Sequence, residues 1–299
     1  MTEAHERKHL TLDAATKELL NAIGASDLPR VREAINAGAS VNARISFTVH
    51  ERFEAPREVE ETALLVALRC KTDEIALELL AQGADPHDGG DGDPLVAAVE
   101  QGHSRALAAI LARPPPPEAL AAGLLAAALR GDAELGVQIL DAGAEPTVRA
   151  LCLACSRGAQ SLVECLLDRG VDVNAVDGRA TPLTQAAWGG DVALVEALLA
   201  RGADLARDGG PALFSAANAG KDAVVAALLA HGVPADVPNA DGWTALMAAA
   251  WQDQLDVARR LLAAGANPDH RDARGKSVLE WARESQKRAV VELLESASP

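Results

Sequence analysis

Cys152 and Cys155 form a C-x-x-C pair, with Cys165 ten residues on. Such a spacing can hold zinc or cycle as a dithiol. No histidine is near to complete a ligand set, and all three thiols fall in apolar helical patterns, so they read as small buried hydrophobes. With Cys70 they make four cysteines, too few and too clustered to staple 299 residues, and reduced thiols are expected. The stretch ADPHDGGDGDP, residues 84–94, gathers Asp85, Asp88, Asp91 and Asp93, hard oxygen ligands of the kind that bind calcium. It lacks the glycine and the distal glutamate of an EF-hand loop, and aspartate and glycine are ordinary turn formers, so the stretch reads as a turn without an ion. The seven histidines are scattered, with His103, His231 and His270 in or near turns, and there is neither a nucleophile elbow nor a phosphate loop. The chain is expected to be non-enzymatic, with no metal and no cofactor.

The composition says what carries such residues. Hydrophobic residues make up 49% of the chain, mostly alanine and leucine, while aromatics are 2% and tyrosine is absent. Alanine and leucine are strong helix formers, so an all-α fold is expected. A net charge of −15 opposes approach to a phosphate backbone or an anionic membrane surface. The longest apolar run, residues 119–129, is well short of the ~20 residues of a spanning helix. The opening MTEAHERKHL has no apolar export region, and a cytoplasmic protein that does not insert into membranes is expected.

The chain repeats itself. TALLVALRCKTDEIALELLAQGADP begins at Thr62, TPLTQAAWGGDVALVEALLARGADL at Thr181, PALFSAANAGKDAVVAALLAHGVPA at Pro211 and TALMAAAWQDQLDVARRLLAAGANP at Thr244. Each is a short apolar helix, a polar or glycine turn, a second apolar helix and a Gly-Ala-Asp-like exit. The first leucines fall at Leu64, Leu95, Leu124, Leu151, Leu183, Leu213, Leu246 and Leu279, in steps of 27 to 33 residues. The pattern T-P-L-x-x-A-A, G-x-x-x-x-V-x-x-L-L and G-A-D-x-N-A resembles the ankyrin repeat over nearly the whole chain. An ankyrin-type helical solenoid of eight to nine divergent repeats, with short hairpin-like turns between them, is therefore expected. Thr62, Thr181 and Thr244 are placed to cap first helices, with Pro182 just inside the start. Cys155 occupies a core alanine position of its repeat. The histidine that usually follows the aligned leucine is absent throughout, so its turn-bracing hydrogen bonds must be replaced or lost and less regular turns are expected.

The expected organisation is a capping repeat over 1–43, an insertion over 44–60, repeats over 61–113, a proline corner at 114–117, repeats over 118–274 and a closing cap over 275–299. The insertion, RISFTVHERFEAPREVE, alternates apolar and polar residues and reads as a hairpin-like finger carrying Phe47 and Phe53.

In ankyrin-like stacks the freely varying positions of the concave face follow the turn's Asp-Gly and end the first helix. The resemblance thus implies partner contacts at Arg179 and Trp243 in turns and at Arg69, Arg130, Arg157, Trp188, Asn218, Trp251 and Gln252 at helix ends, with Phe47 and Phe53 on the finger. Trp188, Trp243 and Trp251 are expected to line one patch with Asn218 between them, and the arginines to form a positive stripe. The implied function is a protein-interaction module, monomeric without its partner. The alternatives are an inhibitor or immunity protein for a basic enzyme or toxin, and a carrier of a lipid-like small molecule.

Overall fold

The computed structural model describes residues 13–49 and 57–297. Among them are nine helix pairs and one β-hairpin, the all-α repeat architecture expected from the period. They divide into two compact units, each described by itself.

The first unit is built from residues up to Ala127 together with Gln138–Ala144. It begins with α1 (Ala14–Gly24) and α2 (Leu28–Asn36), followed by the antiparallel strands β1 (Arg44–Val49) and β2 (Arg57–Thr62). The strands pair in the register Arg44↔Thr62 to Val49↔Arg57, so the start and end of the insertion form a hairpin. Helices α3 (Ala63–Leu68), α4 (Glu74–Ala81), α5 (Pro94–Gln101) and α6 (Ser104–Leu111) follow. Prolines 114–116 lie outside helices, and Pro117 opens α7 (Pro117–Arg130), where its missing N–H costs nothing. Both α7 and α8 (Ala133–Asp141) contribute to the two units.

The second unit continues with α9 (Val148–Arg157), α10 (Gln160–Asp168), α11 (Pro182–Gly189), α12 (Val192–Ala200), α13 (Leu205–Asn218) and α14 (Asp222–Ala230). It closes with α15 (Ala245–Trp251), α16 (Leu255–Ala263), α17 (Val278–Glu284) and α18 (Arg288–Ala297). Here the first helices α9, α11, α13, α15 and α17 pack in succession, and the second helices α12, α14, α16 and α18 do the same behind them. No pair buries its own apolar stripe, so the neighbouring pair supplies the core. The aligned leucines from Leu64 to Leu246 are at most 1% exposed, each worth about 1.5–3 kcal/mol of burial. Leu279 is only half-buried, and Val278 takes the fully buried place in the last pair.

The expected caps are present. The Thr62, Thr181 and Thr244 side chains accept from the backbone N–H groups of Leu65, Thr184 and Met247 at 3.3, 3.3 and 3.4 Å. The turns are braced without the missing histidine. Asn239 Oδ1 accepts from the N–H groups of Asp241 and Trp243, both at 2.9 Å, and Asp272 Oδ1 holds those of Arg274 and Lys276 at the same distance. A second set of bonds ties some turns to the next: Asn174 Oδ1 accepts from Asp204 N at 2.8 Å, and Asp236 Oδ1 accepts from Asn267 N at 2.9 Å. His270 Nε2 adds a donation to the Gly242 carbonyl at 2.9 Å. The histidine's role has passed to short acids and amides that reach the backbone directly.

Repeat seven, like those opened by α7 and α9, carries no projecting turn: the chain from Asp204 goes straight into helix α13, which runs through Gly209, Gly210 and Pro211. Asp204 caps it by accepting from Arg207 N at 3.0 Å, and the Arg207 guanidinium grips buried Asp208 with both nitrogens and donates to the Asn174 carbonyl.

Candidate functional site

Three tryptophans meet at the last repeats. Trp243 stands in the turn before α15, Trp251 ends α15, and Trp281 lies on α17. Trp243 and Trp281 have ring centroids 4.8 Å apart, Trp251 and Trp281 5.3 Å, and Trp243 and Trp251 6.3 Å, with the last two pairs edge to face. Such geometry sets the positive ring edge against a neighbour's negative face. Trp281 is the buried member, 9% exposed, and its indole N–H donates to Asp272 Oδ2 at 2.9 Å while Lys276 Nζ sits 3.9 Å above its ring. Burial pushes the Asp272 carboxyl up, but hydrogen bonds from Lys276 N, the Trp281 indole and Arg274 N outweigh it and hold the carboxyl below its usual range. Trp251 stays 39% exposed on the outside of the cluster. Gln252, next along the chain, donates to Asn218 at 3.2 Å across the neighbouring repeat.

Trp188 is elsewhere, 47% exposed near the end of α11, and makes no ring contact with the other three. The partner of Trp243 and Trp251 is thus Trp281, which lies within the closing cap over 275–299. Its only signal was the recurrence of tryptophan on first helices, at positions 188, 251 and 281. All the large hydrophobic residues left exposed, namely Leu129, Val176, Trp188 and Trp251, belong to the second unit among the described residues.

The arginines divide. Arg69, capping α3, is ion-paired with the buried carboxylate of Glu61. Arg130 ends α7 and is exposed, and Arg157 ends α9 with its Cβ packed against Gly131. Arg179 stands at the tip of a turn closed by two backbone bonds of 2.9 Å between Asp177 and Ala180. Phe47 lies on β1 opposite Val59, and Phe53 falls outside the described residues.

The other sequence candidates have structural places. Cys155 is fully buried and Cys152 nearly so, and burial pushes the Cys152 thiol up to about 12 and Cys155 higher still, which leaves both as neutral core thiols. In the aspartate-rich turn, Asp88 pairs with Arg44 at 2.8 Å, Asp91 accepts from Glu60 N at 2.7 Å and Asp93 caps α5. His103 donates to the Cys70 carbonyl at 3.0 Å, bracing α6 on α3.

Between the turns at residues 177–180 and 237–239 lies a pocket of about 510 Å³. Pro211, Phe214, Val237 and Pro238 line it with apolar surface, and Arg179, Gln185, Ser215 and Asn239 bring polar groups.

Residues 124–208 and 204–272 match a family profile described as ankyrin repeats (3 copies). A putative ankyrin repeat protein of Escherichia coli strain K12, YahD, is 31% identical over 195 residues, which is 60% of this chain and 96% of that protein. The chain belongs to the ankyrin-repeat family. Ankyrin repeats are generally protein-interaction modules and the family is typically non-enzymatic. The ankyrin repeat and SAM domain-containing protein 6 of Danio rerio is 41% identical over 86 residues, covering 28% of this chain and 12% of that protein. The B-cell lymphoma 3 protein homolog of Mus musculus is 30% identical over 154 residues, 49% of this chain and 33% of the other. The chain thus spans a minor part of those two relatives. No helix of this ankyrin-repeat chain, among the described residues, is long and apolar enough to cross a membrane.

Proposed function

We propose that the chain is a non-catalytic module that docks a partner protein on the face formed by the first helices and turns of its second unit. The observation that carries this reading is the pair of exposed tryptophans, Trp188 and Trp251, in a chain with 2% aromatics. Exposed indoles lower solubility, yet they are the side chains that anchor interfaces. Trp251 is held by Trp243 and Trp281, so it loses little conformational freedom on binding. Arg157 and Arg179, which have no carboxylate partner among the described residues, extend the face, whereas Arg69 is already committed to Glu61. The buried neutral thiols fit a reducing cytoplasm, and the chain acts as a monomer until its partner binds. An acidic inhibitor of a basic enzyme is one form this module can take, because the net charge of −15 draws basic proteins in.

The test is capture of partners from the native source with wild-type protein, Trp188→Ala and Trp251→Ala. Partners held by the wild type should be lost by Trp251→Ala and weakened by Trp188→Ala, each variant retaining its helical spectrum. Capture by both variants at wild-type level would overturn the assignment of the face.

A further inference from the structure

The pocket beside Arg179 exists because α13 takes the place of a projecting turn. The turns at residues 177–180 and 237–239 flank the gap, and α13 forms its floor with Pro211, Phe214 and Ser215. Gly210 sets its depth: a Cβ there would lie 2.5 Å from Val237 Cγ1, so glycine lets the incoming chain settle onto α13 and bring Val237 and Pro238 to the wall. A volume of about 510 Å³ suits one large side chain and the backbone around it.

The polar groups of this pocket are uncommitted. Arg179, Gln185 and Ser215 make no side-chain hydrogen bond or ion pair among the described residues, although ion pairs are common elsewhere in the chain. Asn239 uses its amide oxygen to brace its own turn, which leaves the amide N–H groups as donors. The pocket therefore offers four donor-bearing side chains over an apolar floor, and one of them is a full positive charge. The Asp177 carboxylate, across the turn from Arg179, provides an acceptor with no side-chain hydrogen bond among the described residues. A ligand that answers this set carries an apolar group for Phe214 and Val237, a carboxylate for Arg179 and an N–H for Asp177. An extended peptide supplies all three within a few residues.

We propose that this pocket is the specificity site of the docking face, taking an apolar side chain adjacent to an aspartate or glutamate from an extended segment of the partner. The proposal rests on the interaction-module reading and adds the chemistry of the segment recognised. The preference for an acid belongs to this pocket alone: at close range one unpaired guanidinium outweighs the screened charge of distant surface carboxylates.

The experiment is selection of a random-peptide display library on the intact protein, followed by anisotropy titrations of labelled peptides against wild type, Arg179→Glu, Ser215→Trp and Trp251→Ala. Arg179 sits on an exposed turn tip, so its reversal leaves the core untouched, while Ser215→Trp fills the pocket. The selected peptides should pair an apolar residue with an acidic neighbour and lose affinity by about tenfold or more on either pocket variant. Versions with lysine for the acid should bind Arg179→Glu better than wild type. Peptides without an acidic residue, affinities indifferent to both pocket variants, or failure to select any peptide would each overturn the proposal. Peptides that depend on Trp251 but not on Arg179 or Ser215 would overturn the pocket and leave the docking face standing. Decanoate serves as the small-molecule arm: binding that is lost in Ser215→Trp, with no peptide selected, would assign the pocket to a carried acid and overturn the peptide.

Discussion

Asp272 joins the aromatic cluster to its turn, since one carboxylate oxygen takes the Trp281 indole and the other takes two backbone N–H groups. A carboxyl whose folded value is depressed contributes stability that is fully present above its unfolded value, about 3.9, and lost as pH falls through the folded one. The difference in urea midpoint between wild type and Asp272→Asn should therefore be clear at neutral pH and shrink below about pH 3.9. A difference constant with pH would show that the charge of Asp272 is not what holds the turn. The tryptophans separate in the same way. Trp281→Ala removes a buried ring and its hydrogen bond and should cost about 3–5 kcal/mol by chemical denaturation. Trp188→Ala, at 47% exposure, should stay within about 0.5 kcal/mol of wild type. The threonine caps were legible in the sequence because capping is local: the hydroxyl and the N–H it serves are three residues apart. Trp281 was not, because its neighbours come from the preceding repeat and nothing local marks the direction of its ring.

Helix α13 begins at Leu205, ahead of the repeat pattern that starts at Pro211, and takes in Gly209, Gly210 and Pro211, residue types that favour turns. Here the Asp204 cap, the Arg207–Asp208 pair and the link to Asn174 together outweigh the local preference. Gly210→Ala should destabilise the protein by about 1–3 kcal/mol, because the new methyl must push Val237 aside. It should also weaken any ligand of the neighbouring pocket, and unchanged stability would mean that the wall yields freely. The hairpin is the opposite case: residues 45–53 alternate apolar and polar, and the described ends of the insertion pair as β1 and β2. Val59 is 9% exposed, and β2 is also tied to the next turn by Asp91 N donating to the Glu60 carbonyl at 2.7 Å. Replacing residues 48–58 by Asn-Gly keeps those anchors and should move the melting midpoint by no more than about 4 °C. A larger fall in differential scanning calorimetry would place the distal hairpin in the folding core.

The repeat, in steps of 27 to 33 residues, was the most legible property of the chain, since a repeating core reports itself at every turn of the array. It could not say which repeats lack a projecting turn, because that depends on contacts between neighbours. Nearest-neighbour packing also predicts modularity: each pair in the second unit is stabilised by those beside it. Residues 145–299 produced alone should keep a helical far-ultraviolet spectrum and a cooperative urea transition. A coil spectrum would show that α9 and α10 need what precedes them.

The tryptophan cluster makes the chain unevenly visible to light. With no tyrosine and four tryptophans, its intrinsic emission comes chiefly from tryptophan, and three of those chromophores touch one another in the last repeats. Excitation shared across centroids 4.8 to 6.3 Å apart makes them in effect one emitter. A melt followed by fluorescence therefore records chiefly the end of the array, while far-ultraviolet dichroism averages over every helix. Non-coincidence of the two curves would measure how stability is graded along the solenoid, with no added label.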